Sequence, residues 1–190
     1  KDYKKALKYF NKGIEVSPDK LIIFLNRAEL YAYNLKDYEK ASKDFNTALK
    51  LDPDSNSINN SFLNFNFFQK KYETVIKLND EAIIRDSKDP TADYLSALIH
   101  IKQKNDFKAL ISLSHALSKI KHFSKEGYYI IDYNNKALDF SKVFILRSEL
   151  YEKFGEYELM CEDLNDAQNF AEDEVLKKEI QKSILEKCNK

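Results

Sequence analysis

The side chains here best suited to metal binding or nucleophilic catalysis are His100, His115, His122, Cys161 and Cys188. A metal site needs ligands that converge, and short fixed spacings on a helix or turn are how sequences supply this. The histidines show no such spacing and no His-Glu-x-x-His motif. His100 falls on a segment expected to be helical, where a packed or half-exposed imidazole is the ordinary case. Cys161 has no histidine nearby in sequence to take its proton, so spacing gives no activated nucleophile. Two cysteines placed like Cys161 and Cys188 make neither a disulfide framework nor a zinc site. A phosphate-cradling loop needs clustered glycines, and Gly13, Gly127 and Gly155 are far apart. Glu149, Glu152, Glu156 and Glu162 read as a solvated helix face. The expectation is no catalytic residue, no metal ligand and no cofactor.

If chemistry is absent, surfaces must carry the function, and composition says of what kind. Apolar residues make up 43% of the 190 and charged residues 33%, a foldable mixture. Only three Gly and three Pro occur, well below the usual share of roughly 7% and 5%. Scarce turn formers point to helices. Lys+Arg and Asp+Glu are both 31, so no overall field draws the chain to nucleic acid or an anionic membrane. The last quarter, 146–190, is acidic, with 7 basic against 12 acidic groups. The longest apolar run, Leu21–Leu25, is too short to span a membrane. No leader is visible, and the default expectation is a cytoplasmic chain.

The elements that could present such surfaces repeat. Asp2-Tyr3-Lys4-Lys5-Ala6 leads to Phe10 and Pro18; Asp37-Tyr38-Glu39-Lys40-Ala41 leads to Phe45, Ala48 and Pro53. Every landmark shared by these two segments is offset by 35 residues. Weaker copies start at Tyr72 and Phe107, and a further one at Tyr157, after a step of 50. An aromatic ring thus opens each second helix of a pair, and small or apolar residues follow at steps of three and four, keeping one face toward a neighbour. Ala6, Ala41 and Ala48 allow close helix approach, and Pro18 and Pro53 end their helices. First helices precede, with Phe24, Ala28 and Tyr31 in one and Leu146, Ser148 and Tyr151 in another. Connections such as Asn34-Leu35-Lys36-Asp37 and Phe154-Gly155-Glu156 are short enough to make each pair antiparallel.

Asn26-Arg27-Ala28-Glu29-Leu30-Tyr31, then Asp37-Tyr38-Glu39-Lys40-Ala41, then Asp44 through Pro53, resembles a tetratricopeptide repeat (TPR) unit. The resemblance covers most of 1–171. One repeat carries an extra residue, expected in its turn. The resemblance implies an all-α solenoid of antiparallel helix pairs wound as a right-handed superhelix: a half repeat at 1–20, repeats at 21–54, 55–89, 90–122 and 141–172, and a helix at 173–190 that caps the array. Residues 123–140 form an insertion, with β-favouring residues around Asn134-Asn135 suggesting a small hairpin near 127–140. Ser141 reads as the N-cap of the helix that follows.

In this family the first helices line a concave groove. The resemblance places Asn26, Glu29 and Tyr33, then Asn60, Asn64 and Phe67, then Tyr94, Leu98 and Ile101 on that face, with Ile145 and Glu149 beyond. Asparagine amides both donate and accept, as the backbone of an extended peptide requires. The helix with Asn59, Asn60 and Asn64 offers no cation before Lys70, which disfavours a clamp for a carboxylate terminus. The expected partner is therefore a protein or peptide, with no nucleic acid and no membrane span, and the oligomeric state is open. Because residue 1 falls inside a repeat, the alternative is an accessory or regulatory domain of a larger protein whose catalytic or DNA-binding part lies elsewhere.

Overall fold

The computed structural model describes residues 2–85, 87–123 and 139–188. Among them every regular element is helical. In chain order these are α1 (Tyr3–Val16), α2 (Leu21–Glu29) running directly into a π-helix (Leu30–Leu35), α3 (Tyr38–Leu51), α4 (Asn56–Phe68), α5 (Tyr72–Ile84), α6 (Thr91–Lys102), α7 (Asp106–Phe123), α8 (Ser141–Phe154), α9 (Tyr157–Phe170) and α10 (Glu174–Lys187). The contacts divide them into two compact units, residues 1–69 with α1–α4 and residues 70–190 with α5–α10. The hairpin expected near 127–140 lies outside the described residues, apart from its edge at 139–140.

Sequence explains where these helices start and stop. Asp2, Asp37 and Asp173 cap α1, α3 and α10, their carboxylates accepting from the backbone N–H three residues on. Such a bond satisfies a donor that has no partner within the helix. Before α6 and α8 the acceptor sits one residue earlier than a normal cap. Asp89 accepts from the Thr91 N–H at 2.8 Å and Asp139 from the Ser141 N–H at 2.9 Å. Ser141 is therefore the first helical residue and fully buried, and the cap expected of it is supplied by Asp139.

Between first and second helices the chain turns through the left-handed region at Lys36, Lys70, Lys104 and Gly155, with φ of 58°, 59°, 58° and 75°. Those positions recur at steps of 34, 34 and 51. Ala48, Ala82, Ala116 and Ala167 recur at the same steps, and all are buried where neighbouring helices meet. Three of the four turns spend a lysine where glycine fits without strain, at a cost of about 1 kcal/mol each.

The extra residue of the second repeat is inside a helix, not in the turn. After Lys104 the Asn105 N–H reaches the carbonyl five residues back, at His100; after Gly155 the Glu156 N–H reaches Tyr151 in the same way. After Lys36 the Asp37 N–H reaches six back, to Tyr31, at 3.0 Å. The same helix end is closed around one more residue, which the π-helical turn absorbs.

The first unit's core joins Phe24, Leu25, Ala28 and Ala32 of the second helical rod to Ala41, Phe45 and Ala48 of α3 and to Ile58 and Phe65 of α4. The Phe45 ring lies 4.9 Å from Phe65 and 5.8 Å from Phe62, centroid to centroid. Gly13 of α1 faces Ile23 closely, and a Cβ there would lie 3.1 Å from Ile23 Cδ1, tight enough that the side chain would have to shift. In the second unit Leu95, Ile99, Leu113, Leu117, Val143, Phe144 and Met160 are buried.

The rings that open second helices do not all behave alike. Tyr3, Tyr38 and Tyr72 are half-buried, and the last turn of the following first helix meets each one. Asn34 Nδ2 donates to the Tyr3 hydroxyl, Phe68 packs on Tyr38, and Lys102 Nζ donates to the Tyr72 hydroxyl at 2.9 Å. In α7 that place, two residues past the left-handed turn, belongs to Asp106, which pairs with Lys153 Nζ at 3.2 Å. Phe107, expected there, is displaced to the surface at 67% exposure, and Tyr157 of α9 is also exposed. An acid–base pair replaces the ring contact in that repeat.

Candidate functional site

First helices carry the residues expected to line a binding face, and each unit presents its own. In the first unit Asn26 is exposed, and Glu29, Tyr33, Asn60 and Phe67 are half-buried. Asn64 is buried at 6% exposure, so its amide is part of the packing of α4. Glu29 and α4 meet directly, since Ser61 Oγ donates to Glu29 Oε1 at 2.9 Å. Tyr33 stands in the π-helical turn one turn beyond Glu29. Its ring meets Phe68 edge-on with centroids 6.0 Å apart, and Lys36 Nζ lies 5.4 Å from the Phe68 centroid. Burial, and then the charge of Glu29, push the Tyr33 hydroxyl up to about 12, so at neutral pH it is a proton donor beside a carboxylate acceptor. The structure thus brings Glu29, Tyr33, Ser61 and Phe68 into one surface. Ser61, Phe68 and Lys36 were not expected there, although Phe68 could have been found from its 30-residue offset from Tyr38.

In the second unit Tyr94 is buried at 6% exposure, Leu98 and Ile101 are half-buried on α6, and on α8 Ile145 is half-buried and Glu149 exposed. His100 of the same helix is pushed below the usual imidazole value, chiefly by burial and also by the charge of Lys108. It is neutral at pH 7. Among the described residues no group of three His, Cys, Asp or Glu is arranged to hold a metal ion. No helix among them is long and apolar enough to cross a membrane.

Under these faces lie two arginine clamps of the same design. Arg27 of α2 holds Asp44 of α3 with Nε at 2.6 Å and Nη2 at 2.7 Å, and reaches back to Asn11 of α1 with Nη1 at 2.7 Å. Arg147 of α8 holds Asp163 of α9 at 2.8 and 2.6 Å, and reaches back to Ser114 of α7 at 3.2 Å. Each guanidinium ties a first helix to its own second helix and to the second helix before it. A fork of fixed geometry against a carboxylate does this better than a lysine would. The Asp44 hydrogen bond raises the Arg27 pKa further. Burial pulls that of Arg147 down, and Asp163 more than restores it. The signal was in the sequence: Arg27 and Arg147 are two of only three arginines, and both precede a small residue, Glu, Leu and Tyr.

A tetratricopeptide repeat model matches residues 1–20 and another matches residues 30–55. No curated protein sequence matches the chain. Among solved structures, PilW, described as a widely conserved type IV pilus biogenesis factor, is similar with a TM-score of 0.58 and 22% identity. That match covers 90% of this chain and 71% of PilW. Yeast Tom70 is similar with a TM-score of 0.51 and 14% identity, over 92% of this chain and 41% of Tom70. At such identities the likeness is one of fold, and the fold is the all-α solenoid class that the helix pairs, the recurring alanines and the left-handed turns describe. Repeat models, period and fold agree: the chain carries tetratricopeptide repeats, matched at 1–20 and 30–55, within an all-α solenoid fold.

Proposed function

We propose that the chain is an interaction scaffold that binds an extended peptide or protein segment along its first helices. The observation that carries this reading is a contrast between helix faces. Second helices use Ala41, Ala48, Ala109, Ala116 and Ala167 to bury their inner faces. The first helices of the first unit instead bring a carboxylate, a phenol, a hydroxyl and a ring together at Glu29, Tyr33, Ser61 and Phe68, with Asn26 exposed alongside. Acceptors and donors within one turn of each other suit the alternating N–H and C=O of an extended backbone, and the rings suit its side chains. On this reading Asn26, Glu29, Tyr33, Asn60 and Phe67 serve the first unit, and Tyr94, Leu98 and Ile101 shape the corresponding face of the second.

An immobilised array of short random-sequence peptides tests this. The double variant Asn26→Ala/Asn60→Ala should lose binding to the peptides the wild type retains, while Lys43→Ala, exposed on α3, should keep it. Asn64 is left intact because its burial would confuse binding with folding. Equal retention by the wild type and the double variant would set the first-helix face aside.

A further inference from the structure

Nothing in the spacing of Cys161 and Cys188 suggested that they pair, yet the structure bonds them, joining the second turn of α9 to the end of α10. One bond is not a disulfide framework, and for a physical reason the sequence did not reveal it. α10 folds back along α9, so its last residue returns to the start of its neighbour, 27 positions away in sequence but with Cα atoms 5.7 Å apart.

What else holds α10 is slight. Ile180 is its one buried residue, and Val175 and Leu185 are 65% and 59% exposed. Among the described residues its polar tie to the preceding pair joins Lys187 Nζ to Glu152 Oε2 at 2.6 Å, with both side chains about two-fifths exposed. A pair so exposed contributes little. Asp173 caps α10 itself, its carboxylate accepting from Leu176 N–H within the same helix. The stretch leading into the helix, Glu172-Asp173-Glu174, is exposed.

We propose that Cys161–Cys188 is a redox latch on the terminal helix: oxidised, it holds α10 on α9; reduced, it releases α10 and uncovers the face of α9 beneath. Closing the latch removes two electrons and two protons from the two thiols. One thiolate attacks a disulfide oxidant, either a small-molecule disulfide or an oxidised dithiol catalyst, and expels a thiolate. The other cysteine then attacks the mixed disulfide, forming the Cys161–Cys188 bond and expelling the second thiolate. A dithiol reductant runs the same exchange backwards. The latch is closed in an oxidising compartment and open in a reducing one.

The full chain is treated with oxidised glutathione or with dithiothreitol and digested with an endoprotease specific for glutamate. The oxidised chain should yield the linked Cys161–Cys188 peptide and resist cleavage after Glu172 and Glu174. The reduced chain, and the Cys161→Ser/Cys188→Ser variant under either condition, should be cut there roughly tenfold faster. They should also melt roughly 10 °C lower. Two free thiols surviving oxidised glutathione would overturn the proposal, and so would equal cleavage of the oxidised and reduced chains.

Discussion

Hairpins α6–α7 and α8–α9 lie in the same unit and share one framework, yet each buries its charge pair in a different place. Counting from the left-handed turns at Lys104 and Gly155, Ser96 and Ser112 of one hairpin stand where Arg147 and Asp163 stand in the other. Farther from the turn, Asp93 and Lys119 stand where Phe144 and Phe170 stack with centroids 5.3 Å apart. In the first unit α2–α3 follows the α8–α9 pattern, with Arg27 and Asp44 near the turn and Phe24 and Leu51 farther out. Among the described residues each of the three hairpins therefore joins its two helices by a largely buried ion pair at one of two sites and has a neutral pair at the other. The lesson is that the repeat fixes two places where helices must be joined and leaves the chemistry of each open. A charge is admitted only together with its counter-charge, because one left alone in the interior costs several kcal/mol.

The comparison breaks most visibly at its most buried member. Asp93 is 0% exposed and Lys119 Nζ is 2.5 Å from it. Lys119→Ala should cost about 3–5 kcal/mol by chemical denaturation, since among the described residues it leaves the buried carboxylate facing half-exposed His115, 3.9 Å away, as its other basic neighbour. A loss below about 1 kcal/mol would mean that water reaches Asp93. Removing both partners should be far milder. Arg147→Met alone should cost about 3 kcal/mol, and Arg147→Met with Asp163→Leu about 1 kcal/mol or less, a coupling that a double-mutant cycle reads directly.

A smaller effect tests the framework from the opposite direction. Asn79 of α5 occupies the position filled by Phe45, Leu113 and Leu164 in the other second helices. Its Oδ1 is buried with no hydrogen-bond partner among the described residues. Asn79→Leu should stabilise the chain by about 1–2 kcal/mol, seen as a raised melting midpoint. The smallest change concerns the turns. Lys104→Gly should gain up to about 1 kcal/mol by relieving the left-handed lysine, and Gly155→Lys should lose a similar amount. If both substitutions move stability the same way, the equivalence of the two turns is wrong.

Much of the fold was legible because its signals are local. Caps such as Asp2 and Asp37, the recurring alanines and the proline stops each act within a turn or two of helix, so a period in sequence becomes a period in structure. Long-range features were not legible in the same way. The bond between Cys161 and Cys188 depends on α10 folding back, which no spacing encodes. The extra residue near Leu35 looked like a longer turn because sequence gives its number but not whether a helix can widen to absorb it. The spacing puts Phe107 at the place of the ring that opens a second helix, but a shift of one residue moves a side chain by about 100° around a helix, and Asp106 holds the inner place. Period alone places the residues expected to line a binding face on first helices. The exposure of each side chain was not readable: Asn60 is half-buried and Asn64 buried, although both are asparagines on one face of α4.

On the proposed function, first-helix faces, and not the backs of the second helices, meet the partner. The most direct measurement is a titration of the isotope-labelled chain with a peptide retained from the random array, followed through backbone amide shifts. The largest changes should gather at Asn26, Glu29, Tyr33 and Asn60. Changes gathered instead on the exposed side of α3, at Lys43 and Lys50, would contradict it.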